Sequence, residues 1–345
     1  MPPHPSQPAR LRPATIKDVA RDLGLSVATV SRALTKPKML RPATIARVRE
    51  AVERLGYRPN LVAQNLKTRT TGIVYVIVPS LSPFFLEIFR GTERAAQEGG
   101  YSVVMGHTDR HPDREGEFFD QVACGRADGV LLVSTAEAEA IVNHKRQLPP
   151  TVVVLEAVEG QVFPTVRVDH RKAAMEATNH LIALGHRRIA HITGPARSPM
   201  ANHRREGYLA ALAAADIKAG EESCVPGEFT VASGEAAMAS LLARPKPPTA
   251  VFSANDEMAI GAIRAIKSAG LRVPQDISIM GFDDQRIAGI YDPPLSTVHL
   301  PTFDLGYNAM VKLRCILAEE SYEEELVLNT TLVQRGTTAP PKAER

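Results

Sequence analysis

No run of about 18 or more apolar residues occurs in the 345-residue chain, so no membrane-spanning helix is expected. Cysteine is scarce. Cys124, Cys224 and Cys315 are scattered and odd in number, which suits a reducing cytoplasm and argues against a disulfide framework or structural zinc site. No GxGxxG or GxxxxGK(S/T) signature follows a candidate strand, so phosphate-cradling enzymes are disfavoured. HExxH and GxSxG are absent, and no acid/base pair or nucleophile constellation stands out. The opening stretch MPPHPSQPARLRPA is proline-rich and lacks the apolar core region of a secretory signal. These absences point to a cytoplasmic, non-enzymatic chain, with no cofactor, metal or membrane contact expected.

What is present is concentrated first in Thr15–Leu34, TIKDVARDLGLSVATVSRAL. It reads as two short helices joined by a tight turn, with Val19, Leu23, Leu25, Val30 and Ala33 as the apolar set. Ala20 is small where two helices must cross closely. Gly24 sits where the first helix has to stop and the backbone can take positive φ. Ser26 offers an oxygen to the free N–H groups of the next helix, and Thr15-x-x-Asp18 has the form of a capping box. This is the layout of a helix-turn-helix, whose second helix enters the major groove of DNA.

Charge supports that reading. Net charge is only +3, yet residues 1–71 carry a net +10 and the remainder a net −7. A basic head on an acidic body implies a polyanionic partner for the head alone.

Residues 1–13 read as a disordered tail. Three helices are expected over 15–57, the third from about Pro42 to Leu55, with Ile45, Val48, Val52 and Leu55 on one face and Gly56 ending it. A short helical segment, LVAQNLK, follows the break at Tyr57–Asn60. From Gly72 the pattern changes. GIVYVIV is a continuous apolar run, as in a strand buried on both faces. Alternating strands and helices continue through YSVVMGH, DGVLLVS, TVVVLEA, FPTVRVD, RRIAHITG, Ala250–Ser253 and Ile277–Gly281. Such alternation means parallel sheets with crossover helices, and its length implies two lobes. Ligands in these folds bind beyond the C-terminal strand ends, which puts a site in the interlobe cleft.

In this order the segments ATIKDVA, SVATVSRAL, LGYRPN, LVAQNLKT, VPSLSPFF, ADGVLLVS, LGHRRIAHITGP, FSANDEMAIGA, VPQDISIMGFDD and PPLSTV make the chain resemble the LacI/GalR family of bacterial transcriptional regulators. The resemblance runs from Ala14 to about Thr338. LPPTVVVLE, FPTVRVD and ITGPARSPMANHRREGY look most like its cytidine repressor branch. It implies an all-α helix-turn-helix domain (14–58), a hinge helix and linker (59–71), and an α/β two-lobed, periplasmic-binding-protein-like core (72–338) before a short tail (339–345). The first lobe is expected from about 72–169 and 296–322, the second from about 170–295 and 323–338. It also implies a homodimer on a near-palindromic operator.

By the same resemblance Val27, Ala28 and Arg32 match base-reading positions. Arginine can bond bidentately to guanine, and small apolar groups can meet a thymine methyl. Thr15, Ser26, Thr29 and Ser31 are placed to bond phosphates and set register. Where the family usually has Asn after this helix, Thr35-Lys36 stands instead. In the hinge, Leu66 matches a wedge position for the minor groove and Ala63 a position of close helix approach.

For the effector, Phe84 is assigned to the cleft and Phe85 to the core. Arg204 and Asp283 match positions that hold ligand hydroxyls, and Asn255 and Glu156 match further contacts. Arg197 and Ser198 lie in the loop after ITGP, and Asp256 is read as a helix cap. His107, Asp109 and His111 alternate, but zinc-type spacing is otherwise absent. His180, His186 and His191 are read as structural. The expected function is a dimeric repressor of transcription, binding double-stranded operator DNA under control of a nucleoside or sugar. The alternatives are a solute-binding protein without a regulatory role and a sugar- or nucleoside-active enzyme. No long heptad tail follows residue 338 to make a tetramer.

Overall fold

The computed structural model describes residues 14–35, 39–58, 70–109, 111–133, 148–156, 163–220 and 223–342. The hinge positions Ala63 and Leu66 lie outside the described residues. The chain divides into two units, 1–71 and 72–345.

The first unit holds α1 (Ile16–Leu23), α2 (Val27–Thr35) and α3 (Pro42–Leu55). Their ends follow local signals. The Asp18 carboxylate accepts from the Thr15 N–H at 2.9 Å, the reciprocal half of the expected capping box. Gly24 takes φ 64°, which lets the Leu25 N–H reach back to the Ala20 carbonyl at 3.0 Å. Ser26 Oγ then accepts from the Thr29 N–H at 3.0 Å. Val19, Ala20, Val30, Ala33, Val48 and Ala51 are buried together, small residues letting three short helices close around one core.

In the second unit, one parallel sheet has the order β2-β1-β3-β4-β5-β11. Its strands are β1 (Ile73–Val78), β2 (Ser102–His107), β3 (Gly129–Val133), β4 (Thr151–Leu155), β5 (Thr165–Val168) and β11 (Glu325–Leu328). β3 and β4 are buried along their whole length, which explains their unbroken apolar sequence. α4 (Pro83–Glu98) packs against α11 (Thr302–Leu317), and α5 (Pro112–Ala123) against β1 and β3. A second parallel sheet runs β7-β6-β8-β9, from β6 (Ile189–Thr193), β7 (Cys224–Pro226), β8 (Ala250–Ser253) and β9 (Ser278–Met280). It is accompanied by the packed pairs α6 (His170–Ala183) with α7 (Pro199–Ala214), and α8 (Val231–Leu242) with α9 (Asp256–Ser268). The α4/α11 crossing is tight. A Cβ built on Gly306 would stand 1.9 Å from the Ile88 carbonyl oxygen, so only glycine fits.

The expected lobe boundaries need correction at the C-terminal end. Residues 323–338 were assigned to the second lobe, but β11 pairs with β5 at the edge of the first sheet. The Arg167–Glu325 ion pair, at 2.7 Å, joins these two strands. Residues 296–322 were assigned to the first lobe. Most of that range, α11, does pack on α4 and the first sheet, but β10 (Thr297–His299) pairs antiparallel with β12 (Thr331–Val333), and single bridges tie Ser296 to Met280 and His299 to Asp283. The chain therefore passes between lobes three times: after β5, after β10 and after β11. A short helix α10 (Arg286–Ile290) lies between β9 and β10.

Candidate functional site

The order of the first sheet reverses between β1 and β3, and that of the second between β6 and β8. Such switch points open crevices beyond the strand ends. A cavity of about 360 Å³ lies there. The first lobe lines it with Pro79, Ser80, Ser82, Phe84 and Phe85, all following β1. The second lobe supplies residues 197–200 after β6, Arg204, residues 228–230 after β7, Asn255 and Glu257 after β8, and Asp283 and Gln285 after β9.

Arg204 is the largest fully buried side chain in the wall, and it is not a surface residue despite its neighbours Arg205 and Glu206; only 1% of it is exposed. Its Nη2 lies 3.2 Å from Asp283 Oδ1, its Nη1 donates to the Ala254 carbonyl, and its Nε donates to His170 Nδ1 at 3.4 Å. The guanidinium also lies 3.9 Å above the Phe282 ring, a cation–π contact. Burial pushes the Asp283 carboxyl up to about 6, and the Arg204 charge opposes that rise. Asp283 holds φ 109°, a strained conformation for a side-chain-bearing residue, fixed by its N–H bond to the Val298 carbonyl at 2.9 Å. Nearby Asp256 is buried as well. Burial and the Asp283 charge push its carboxyl well above the usual range.

The structure places the remaining candidates unevenly. Phe84 lines the cavity; Phe85 is in the buried core, where sequence places it, and reaches the cavity wall as well, the two rings meeting edge to face at 5.1 Å. Asn255 lines the wall with its amide already engaged: Oδ1 accepts from the Met258 N–H at 2.9 Å and Nδ2 donates to the Phe229 carbonyl at 3.2 Å. Asn255 is thus the cap of α9, a role sequence had given to Asp256. Asp256 instead accepts from the Gln285 N–H at 2.7 Å and the Thr297 hydroxyl at 2.6 Å. Ser198 caps α7 through the Ala201 N–H at 3.4 Å, and Arg197 beside it is exposed at the rim. Glu156 is buried just past β4 but is not part of the cavity wall; its charge acts on Arg204 from outside that wall. Sequence reasoning missed Ser80, Ser82, Glu228, Phe229, Thr230, Glu257 and Gln285. The one available signal was their position just past strand ends.

On α2, Val27 is 41% exposed, and Ala28 and Arg32 are exposed. Ala28 and Arg32 stand four apart, on one helical face. Thr15, Thr29 and Ser31 are half-buried, and Ser26 is exposed. The Thr15 hydroxyl donates to Asp18 at 2.6 Å, and the Ser26 and Thr29 hydroxyls meet at 2.8 Å. The candidate base readers thus form an exposed patch at the start and middle of a helix, which is the part of a recognition helix that meets base edges.

The histidines set aside as structural are engaged internally. His186 bonds Thr249 Oγ1 and the Ala339 carbonyl, each at 2.9 Å, and His180 bonds Thr338 Oγ1 at 3.2 Å. His191 stacks on Phe252, and burial lowers its ring to about 4. Asp109 forms a 2.9 Å ion pair with Arg114 and lies 3.5 Å from His107 Nε2.

Comparison with known proteins agrees with this architecture. Residues 15–60 match the family described as bacterial regulatory proteins, lacI family, and residues 178–338 match a periplasmic binding protein-like domain. The chain is 40% identical to the HTH-type transcriptional repressor CytR of Escherichia coli (strain K12), over 87% of this chain and 89% of that protein. It is 35% identical to catabolite control protein A of Priestia megaterium, over 91% and 95% respectively. Among solved structures it is similar to the lac repressor dimer bound to operator and the anti-inducer ONPF, with TM-score 0.85, 28% identity and coverage of 95% of this chain and 100% of that one. It is also similar to a LacI family regulator from Enterococcus faecium with bound ribose, with TM-score 0.70, 29% identity and coverage of 78% and 99%.

Proposed function

The chain belongs to the LacI family of bacterial regulatory proteins, and we propose that its operator affinity is set by a nucleoside held in the interlobe cavity. The observation that carries this reading is the pairing of two unlike walls. On one side a buried guanidinium and carboxylate, Arg204 and Asp283, stand 3.2 Å apart. They offer a donor and an acceptor to a vicinal diol. On the other, Phe84 and Phe85 of the first lobe, with Phe229 of the second at the cavity edge, present apolar ring surface to a base. At about 360 Å³ the cavity is at the small end of ligand sites, which run from about 300 to 1,000 Å³. It suits one sugar with one ring attached better than an oligosaccharide.

A free pentose is the second reading, favoured by the ribose bound to the Enterococcus faecium regulator. Thermal-shift titration with cytidine, uridine, adenosine, ribose and glucose separates the two, since a ligand bound only by the folded state raises its melting temperature. A nucleoside is expected to give a larger shift than ribose at equal concentration. A ribose shift as large as any nucleoside shift overturns the assignment of the phenylalanine wall.

In this reading two copies bind a palindromic operator in the cytoplasm through α2. Among the described residues, no helix is long and apolar enough to cross a membrane. Effector binding favours one arrangement of the lobes, and the linker at 59–71 passes that preference to the head. A coupling of about 1–3 kcal/mol changes operator affinity 5- to 150-fold.

Acid should weaken effector binding. Asp283 accepts ligand hydroxyls best when ionised, and its carboxyl is pushed up to about 6. It faces Arg204 from α7 and Asp256 and Glu257 from α9, so neutralising it changes the charge of the whole cluster. Nucleoside affinity measured by calorimetry is therefore expected to be flat above neutrality and to fall as the pH drops through about 6. An affinity constant down to about pH 5 removes Asp283 from the contact set.

A further inference from the structure

His170 is the first residue of α6, directly after the first passage between lobes, and only 3% of it is exposed. Asp169 fixes the start of that helix by accepting from the Lys172 N–H at 2.8 Å. His170 Nδ1 accepts from Arg204 Nε at 3.4 Å, and its ring lies 6.1 Å from Phe282, the ring on which Arg204 rests. A hydrogen bond to the Leu155 backbone, at the end of β4, also acts on the ring. Burial first, and the Arg204 charge second, hold the ring well below its usual range, so it stays neutral. Only a neutral imidazole offers an acceptor to an arginine.

We propose that His170 is a positioning residue for the effector: its Nδ1 fixes Arg204 Nε, aims the guanidinium at Asp283 and the cavity, and ties that pair to the first passage between lobes. The proposal rests on the reading that Arg204 holds the effector. It gives His170 two jobs that coincide in space. The ring orients the ligand-facing cation of the second lobe, and its backbone is where the chain enters that lobe from β5.

The test uses the full-length protein, with cytidine and adenosine affinity measured by calorimetry and operator affinity by fluorescence anisotropy. His170→Phe keeps a ring against Phe282 and removes the acceptor. His170→Asn keeps an acceptor oxygen near the place of Nδ1. His170→Phe is expected to weaken nucleoside binding about tenfold or more, since it removes a hydrogen bond to a charged group. Ligand-free operator affinity is expected to hold within about twofold, as for a residue outside the DNA-binding unit. His170→Asn is expected to recover most of the loss. Arg204→Lys lacks the Nε donor, so adding His170→Phe to it is expected to cost nothing more. Additive losses, or failure of asparagine to rescue, overturn the proposal. Wild-type binding by His170→Phe alongside weakened Arg204→Lys overturns it while leaving the Arg204 assignment intact. Unchanged binding by Arg204→Lys overturns both. A measurement without any variant is the nitrogen-15 spectrum of His170, expected to show Nδ1 bare and Nε2 protonated across about pH 6 to 8. The opposite tautomer overturns the proposal.

Discussion

Arg204→Met is expected to lower the stability of the two-lobed core by about 3–5 kcal/mol and to abolish the response to effector. The side chain is almost fully buried and balances Asp283 at 3.2 Å. Methionine has similar reach but no charge, so Asp283 is left buried opposite an apolar chain, and the Ala254 carbonyl loses its donor. Removing one partner of a buried pair costs far more than the pair contributes as a whole, because the survivor cannot regain water. Asp283 can escape only by taking up a proton, which the burial-driven rise in its affinity for one already favours. A double variant, Arg204→Met with Asp283→Asn, which removes the charge and keeps a residue tolerant of φ 109°, is therefore expected to recover part of the stability and none of the response. Urea denaturation monitors the first quantity. Anisotropy on operator, with and without nucleoside, monitors the second. If the single variant melts like the parent, the pair is not the buried ion pair described above. If the double variant still responds to nucleoside, neither residue holds the effector.

What sequence could and could not reveal divides along the range of the interactions involved. The head was legible because its signals are local. Gly24 and Gly56 take φ 64° and 62°, and Ser26 caps the helix that follows it. The central strands were legible because burial on both faces leaves unbroken runs such as VLLV and TVVVL. β10 and β12 are three residues each, too short for any periodicity, and exist only because the passages between lobes run side by side. β11 has an exposed, alternating pattern that fits either sheet, and its partner lies about 160 residues earlier. The cap of α9 shows the same limit at one position. Asn255 and Asp256 are equally good caps by type, and the choice is made by Thr297 and Gln285, which claim Asp256 from a distance. Arg204 looked half like a surface residue because Arg205 and Glu206 adjoin it, yet α7 turns it alone inward against Phe282.

Arg32→Met is expected to reduce affinity for a specific operator by about 1–3 kcal/mol, roughly 5- to 150-fold, while changing affinity for a scrambled duplex much less. The asymmetry follows from what each kind of contact supplies. Non-specific binding depends on the summed charge of the head, and residues 1–71 carry a net +10, of which Arg32 is one unit. Loss of one unit should lower the slope of log affinity against log salt by at most about 1. Arg32 is nevertheless exposed on the same face of α2 as Ala28, beside the exposed Val27, where a guanidinium can reach a guanine edge. Methionine keeps length and helix preference and leaves the core residues Val30 and Ala33 on the opposite face untouched. Anisotropy titrations on operator and scrambled DNA at several salt concentrations separate the cases. Equal losses on both duplexes make Arg32 a phosphate contact, and then sequence must be read by Val27 and Ala28 with another group of the head. A loss confined to the operator leaves the fold, the non-specific affinity and the effector cavity unchanged. It isolates base reading in a single side chain of the second helix, physically independent of the Arg204–Asp283 pair proposed to hold the effector.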